Sequence, residues 1–174
     1  GAKLDLEQAR LVEITMRDFK RNGLALSDAD RAKLIELRSR LTELQTRFQK
    51  NLNEDASKIE VKRAELAGLP DDFVAAHEDK VKKGAYVVTT KYPDYYPVME
   101  NAALEATRQK MEVAFMNRGG KENLQLLDEA VRLRADAAKL LGYQTHADYV
   151  AEDRMAKDAA TVGAFLARMK KGLE

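Results

Sequence analysis

The chain contains no cysteine. That excludes disulfides, iron–sulfur clusters, thiolate-bound zinc and a cysteine nucleophile, and it fits a reducing compartment. Histidine is nearly as scarce, His77 and His146 being the only two. They lie far apart in the chain and in unrelated contexts, so they do not form the closely spaced ligand pattern of a metal site. Charge of one sign is missing too: 30 basic residues face 29 acidic ones, for a net charge of +1. No basic surplus supports nucleic-acid binding. No apolar run approaches the roughly 20 residues of a membrane span. The longest uncharged run, Ala159 to Ala167, is about half that length. No signal-peptide pattern, internal repeat or low-complexity segment is visible. The opening Gly1-Ala2 reads as a cloning scar or a trimmed end, which leaves open a targeting signal ahead of it.

What is present is a helical pattern. Hydrophobic residues make up 45% and charged residues 34% of 174, enough for one domain with a real core. Leu6, Ala9, Val12, Met16 and Phe19 share one face of a first helix, which Asn22-Gly23 ends. Ser27 caps a second helix, with Asp28 and Asp30 near its positive end. That helix carries Leu34, Leu37, Leu41, Leu44, Phe48 and Leu52 at spacings of three and four. The two helices read as an antiparallel hairpin over residues 1–55. The leucine series is short for a dimerising coiled coil and suits packing within the chain better.

Residues 56–103 change character. Alternation over 59–63 and the β-branched run 85–90 predict a small two-stranded sheet. Pro70 with Asp71 and Asp72 opens a short helix. Tyr92-Pro93-Asp94-Tyr95-Tyr96-Pro97 forces a turn into another, from about Asp94 to Asn101. Its aromatics either anchor the strand-to-helix crossing or line a ligand groove. Residues 104–174 return to helix, broken at Gly119-Gly120. Leu124, Leu127, Val131, Ala135, Ala138 and Leu141 mark a buried face. Thr145 and Asp158 are candidate caps for two further helices. On the last, Val162, Phe165, Leu166, Met169 and Leu173 form an apolar face. The fold class is mainly α: an antiparallel helical bundle with a small two-stranded β element, in a single helical domain over 1–174.

Chemistry is hard to place. Asp71/Asp72, Glu78/Asp79 and Glu152/Asp153 are adjacent pairs, which diverge on a helix rather than face each other across a site. Gly119-Gly120-Lys121 lacks the phosphate-loop spacing and does not follow a strand. His77 reads as exposed and His146 as a surface or boundary residue. Scattered lysine pairs read as solvated surface.

The sequences themselves carry a resemblance. The runs Ala106 to Arg118, Lys121-Glu122-Asn123 and Leu133 to Tyr143, with Thr145 to Val150, Met155 to Lys157, Arg17 to Gly23 and Phe48 to Asp55, resemble the thimet oligopeptidase and neurolysin family of zinc metallopeptidases. The likeness covers nearly the whole chain, in order. It departs at Gly119-Gly120, where family members often carry cysteine. It implies the N-terminal helical region of a larger two-domain peptidase. That region makes one wall of a narrow channel that admits short peptides. The family's H-E-x-x-H zinc motif is absent here, so no catalytic or metal-binding residue carries over. The chain alone is then expected to be inactive and without a cofactor, zinc belonging to the full-length parent and the C-terminal catalytic region being missing. Tyr92, Tyr95, Tyr96 and Met99 are the residues expected to face the channel. Helix runs to the end of the chain without a polar tail, as in a cut domain. Such a piece is expected to expose apolar surface, with a homodimer formed through it. A cytoplasmic location is expected. The alternative is a free-standing helical scaffold that binds peptides or proteins without catalysis.

Overall fold

A computed structural model describes residues 4–173. Of these, 69% are helical, and the remainder includes one two-stranded antiparallel sheet. The chain is therefore mainly α with a small β element. It divides into two compact units: Arg47–Leu124, and the segments up to Thr46 and from Gln125 onward. None of its helices is long and apolar enough to cross a membrane, among the described residues.

In the unit built from the two outer segments, α1 spans Leu6–Arg21 and α2 begins at Asp28 on its way to Glu54. Asp5 and Gln8 close a reciprocal cap on α1, satisfying two of its free N–H groups. Ser27 caps α2 by accepting from Asp30 N at 3.1 Å. Between them Gly23 turns at φ +92°, where a Cβ would collide with Leu34 Cδ2 at 2.7 Å. Glycine both permits the left-handed turn and lets it close on the buried Leu34. Arg31 donates to the carbonyls of Leu24 and Leu26 and Arg38 to that of Arg21, so the connection is held by polar ties.

The apolar face of α1 is exposed: the helix contains no buried residue, and Leu6, Val12, Met16 and Phe19 lie open to solvent. The leucine series of α2 does turn inward in this unit, with Leu34 and Leu44 buried and Leu37 and Leu41 half-buried. Beside it lies α6 (Gly120–Leu140), joined by a two-pronged Arg40–Glu129 pair at 2.7 and 3.1 Å. The expected face of α6 needs correction in its first half. Leu124, Leu127 and Val131 are exposed and Leu126 and Ala130 are buried instead, whereas Ala138 is buried as expected and Ala135 and Leu141 are half-buried. Apolar residues cover more than half the turn of this helix, so periodicity alone fits two stripes. The buried stripe runs through Leu126 and Ala130 and meets the expected one at Ala138. Two helices follow: α7 (His146–Ala151), capped by Thr145, and α8 (Ala159–Leu173), where Asp158 accepts from Thr161 N. The apolar face of α8 is exposed along its length.

The unit Arg47–Leu124 holds the sheet and its core. β1 (Lys58–Lys62) pairs with β2 (Ala85–Thr89), Ile59 opposite Val88 and Val61 opposite Tyr86. These four side chains are buried on one face with Leu66, Val74, Val98 and Met111. β1 begins and ends one residue earlier than the alternation suggested. Glu65 takes the N–H of Lys62 at 2.8 Å and starts a 3-10 turn, Arg63–Leu66. Then come α3 (Asp71–Ala76), α4 (Tyr92–Asn101) and α5 (Glu105–Met116). α4 starts two residues earlier than expected, with Pro93 in its first turn, where a missing N–H costs nothing. α5 stops at Met116, and α6 starts at Gly120. The Asp55 carboxylate accepts from Gly119 N at 3.0 Å and from Ser57 N at 2.8 Å. Asn123, buried, accepts from Asn51 and donates to the Phe48 carbonyl.

Candidate functional site

An aromatic cluster forms where α4 meets the end of α5. Pro93 fixes the entry to α4, Pro97 lies within it, and the helix's 3.6-residue turn brings Tyr92 and Tyr96 one above the other. Their rings stack at 5.5 Å. Tyr95 packs face to face on Phe115 at 3.9 Å and edge-on to Tyr96 at 5.4 Å. Its hydroxyl donates to Glu112 at 2.8 Å. That bond, then burial, raises the Tyr95 pKa and keeps it a donor. Arg118 lies over the Phe115 ring at 3.6 Å and within 5.8 Å of the Tyr92 ring. Tyr92 and Tyr96 remain 57% and 52% exposed.

Of the four residues expected to face a channel, Tyr92, Tyr95 and Tyr96 thus share one cluster. Met99 packs instead against the hydrophobic core, as does part of Tyr95. Phe115 and Arg118 were not anticipated. Their spacing of three on one helix end was the available signal, but it points to a shared face without saying which.

His77 is half-buried, not exposed as expected. It stacks on Phe73 at 4.2 Å, and its ring nitrogens face the Phe73 carbonyl at 2.7 Å and Asp94 Oδ1 at 3.0 Å. The other Asp94 oxygen accepts from the backbone N–H and the hydroxyl of Thr89. One carboxylate therefore ties α3, β2 and α4 together just below the tyrosines.

In the other unit a second polar cluster surrounds Arg21, whose side chain is only 11% exposed. Its guanidinium pairs with Glu152 at 2.5 Å and lies 4.2 Å over the Tyr149 ring. Tyr143 donates to the same Glu152 oxygen at 2.6 Å. Burial opposes the Arg21 charge, but the Glu152 bond and neighbouring acidic groups hold its pKa above the ordinary value. Tyr143 is raised by burial and by Glu152, and Glu152 is lowered by the Tyr143 bond, against burial, and by Arg21. His146 sits half-buried nearby, its pKa lowered by burial and then by Arg134.

The remaining candidates are engaged in structure. Asp71 pairs with Arg63, and Asp79 accepts from the backbone N–H groups of Val81 and Lys82. The Gly119 N–H, which a phosphate would need, is given to Asp55. Among the described residues no group of three or more His, Cys, Asp or Glu side chains is arranged to hold a metal ion. These residues do not fit a zinc site.

Residues 98–173 match the model of peptidase family M3. The chain is 34% identical over 97% of its length to the thimet-like oligopeptidase of Dictyostelium discoideum, of which it covers 25%. It is 35% identical over 98% of its length to saccharolysin of Saccharomyces cerevisiae, covering 24%. Oligopeptidase A of Haemophilus influenzae is 31% identical over 95% of the chain, which covers 26% of it. The chain is thus related to peptidase family M3, through the match over residues 98–173 and through oligopeptidases of whose length it spans about a quarter.

Proposed function

We propose that this chain is the non-catalytic, N-terminal helical part of a longer zinc-dependent oligopeptidase that cleaves short peptides. The observation that carries this is its similarity to a thimet-like oligopeptidase over 97% of the chain, aligned with only 25% of that protein. In this role the chain forms one wall of the substrate channel, and Tyr92, Tyr95 and Tyr96 contribute an aromatic surface to it. Two half-exposed stacked rings suit peptide side chains and peptide planes. The zinc ligands and the general base belong to the rest of the longer polypeptide, so no chemical step is assigned to a residue here. The exposed apolar faces of α1 and α8 meet that missing region. A cytoplasmic location completes the proposal, and cell fractionation tests it.

A quenched fluorogenic peptide tests the activity. The longer polypeptide is expected to hydrolyse it and to stop when a chelator strips its metal. The 174-residue chain, with or without zinc, is expected to leave it intact. Hydrolysis by the chain alone, or a longer polypeptide indifferent to chelation, would refute the assignment.

A further inference from the structure

We infer that Arg118 is a carboxylate-binding residue, positioned on the aromatic cluster to take the C-terminal carboxylate of a short peptide. This role rests on the peptide-binding function proposed above.

The guanidinium is fixed without being used up. Its Nε donates to the Phe115 carbonyl at 3.0 Å, and its face covers the Phe115 ring at 3.6 Å. Its two Nη nitrogens form no hydrogen bond or ion pair with any described residue. Two other arginines of the same unit each spend one Nη on structure, Arg63 Nη2 on Asp71 and Arg108 Nη1 on the carbonyls of Ala102 and Ala103, whereas Arg47 is tied through its Nε to Glu122. Asp55 is the acidic group that acts on Arg118 through space, but both its oxygens already accept from Ser57 N and Gly119 N. Glu112 gives one oxygen, Oε2, to the Tyr95 hydroxyl and makes no ion pair with Arg118.

A guanidinium held by one face and one edge presents its free edge as a fork, the geometry that matches a carboxylate bidentately. Holding it over a ring also removes most of the entropy that a free arginine loses on binding. The half-exposed Tyr92 and Tyr96 rings lie beside it and offer an apolar floor to the last side chains of a peptide. Arginine supplies charge and the tyrosines supply area, a combination that recognises a chain end whatever its sequence. A C-terminal carboxylate is the one anion every unmodified short peptide carries, which suits an enzyme that accepts many of them.

The test is an NMR titration of the 174-residue chain with acetyl-Ala-Leu-Phe-Leu, as the free acid and as the C-terminal amide. Shifts are expected at Tyr92, Tyr96 and Arg118, with the acid bound roughly tenfold more tightly than the amide. Arg118→Gln is expected to erase that difference, and Arg118→Lys to restore part of it. An unchanged spectrum outside α4 and α5 verifies that each variant is folded. Equal binding of acid and amide with shifts at the tyrosines would overturn the carboxylate role and leave the peptide-binding surface standing. An acid preference that survives Arg118→Gln would overturn it too, placing the contact elsewhere. Absence of shifts on α4 and α5 with either peptide would remove both.

Discussion

Asp94 accepts two hydrogen bonds on one oxygen, from the Thr89 N–H and the Thr89 hydroxyl, and its other oxygen lies 3.0 Å from His77 Nε2. Its side chain is 18% exposed, so water replaces these bonds poorly. Asp94→Ala is expected to cost about 2–3 kcal/mol, since bonds to a charged acceptor contribute roughly 1.5–3 kcal/mol and the donors left behind are part-buried. Urea unfolding measures this, and a loss below about 0.5 kcal/mol would show that the tie is slack. The Glu152 cluster makes a different prediction, read in pH. The folded pKa of Glu152 is lowered by Tyr143, against burial, and by Arg21, so its contribution is complete above the ordinary glutamate range near about 4.3. It is lost as pH falls from there through the lower folded value, because the unfolded chain then binds the proton first. The stability gap between wild type and Tyr143→Phe is therefore expected to narrow on acidification below about pH 4. A gap constant over that range, by thermal melts at several pH values, would count against the coupling. None of these pairings was legible in the sequence. The aromatics and prolines around Asp94 announced a crossing, but His77 and Arg21 meet partners that only the fold brings near. His77 accordingly read as exposed.

At the scale of elements, the sequence spoke most clearly where apolar spacing and its alternatives agreed. Helix α2 has one apolar stripe, and its residues Leu34 and Leu44 are buried as expected. The strands were legible from β-branched alternation, and their ends were not, because Glu65 intercepts the Lys62 N–H. Helix α6 was legible as a helix and in its second half, where Ala138 is buried as expected, but not in its first half, where apolar residues populate adjacent stripes and period alone does not rank them. Substitution distinguishes the stripes. Leu126 is 7% exposed and Leu127 is 47% exposed. Leu126→Ala is expected to cost about 2–4 kcal/mol, within the range for buried leucines. Leu127→Ala is expected to cost well under about 1 kcal/mol, as at most exposed positions. The reverse order, measured by chemical denaturation, would mean that the expected stripe is the buried one. In α1 and α8 the spacing foretold amphipathic helices, and their apolar faces are exposed, as expected of a piece that leaves apolar surface uncovered. Periodicity reports which face wants burial, not what buries it.

At the scale of the molecule, the aromatic cluster was legible as a segment and only partly as a packed surface. Tyr92, Tyr95 and Tyr96 converge, but Met99 turns to the core, and Phe115 and Arg118 complete the cluster from α5 and its end. The exposed Val162, Phe165, Leu166, Met169 and Leu173 of α8 have a further consequence for the isolated chain. A contiguous apolar face left in water favours association. Light scattering is expected to show self-association that grows with concentration and persists in salt, as hydrophobic contact does and surface ion pairing does not. A clean monomer at high concentration would favour the free-standing scaffold instead.

The most direct measurement is to read the coding sequence past the codon for Glu174. A segment of an M3-type oligopeptidase requires the frame to continue for several times the present length, since the chain spans about a quarter of its relatives. That continuation is predicted to encode H-E-x-x-H on a helix with a later glutamate, the donor set a catalytic zinc needs. A frame that stops at or near Glu174, or continues without that motif, would contradict the peptidase assignment.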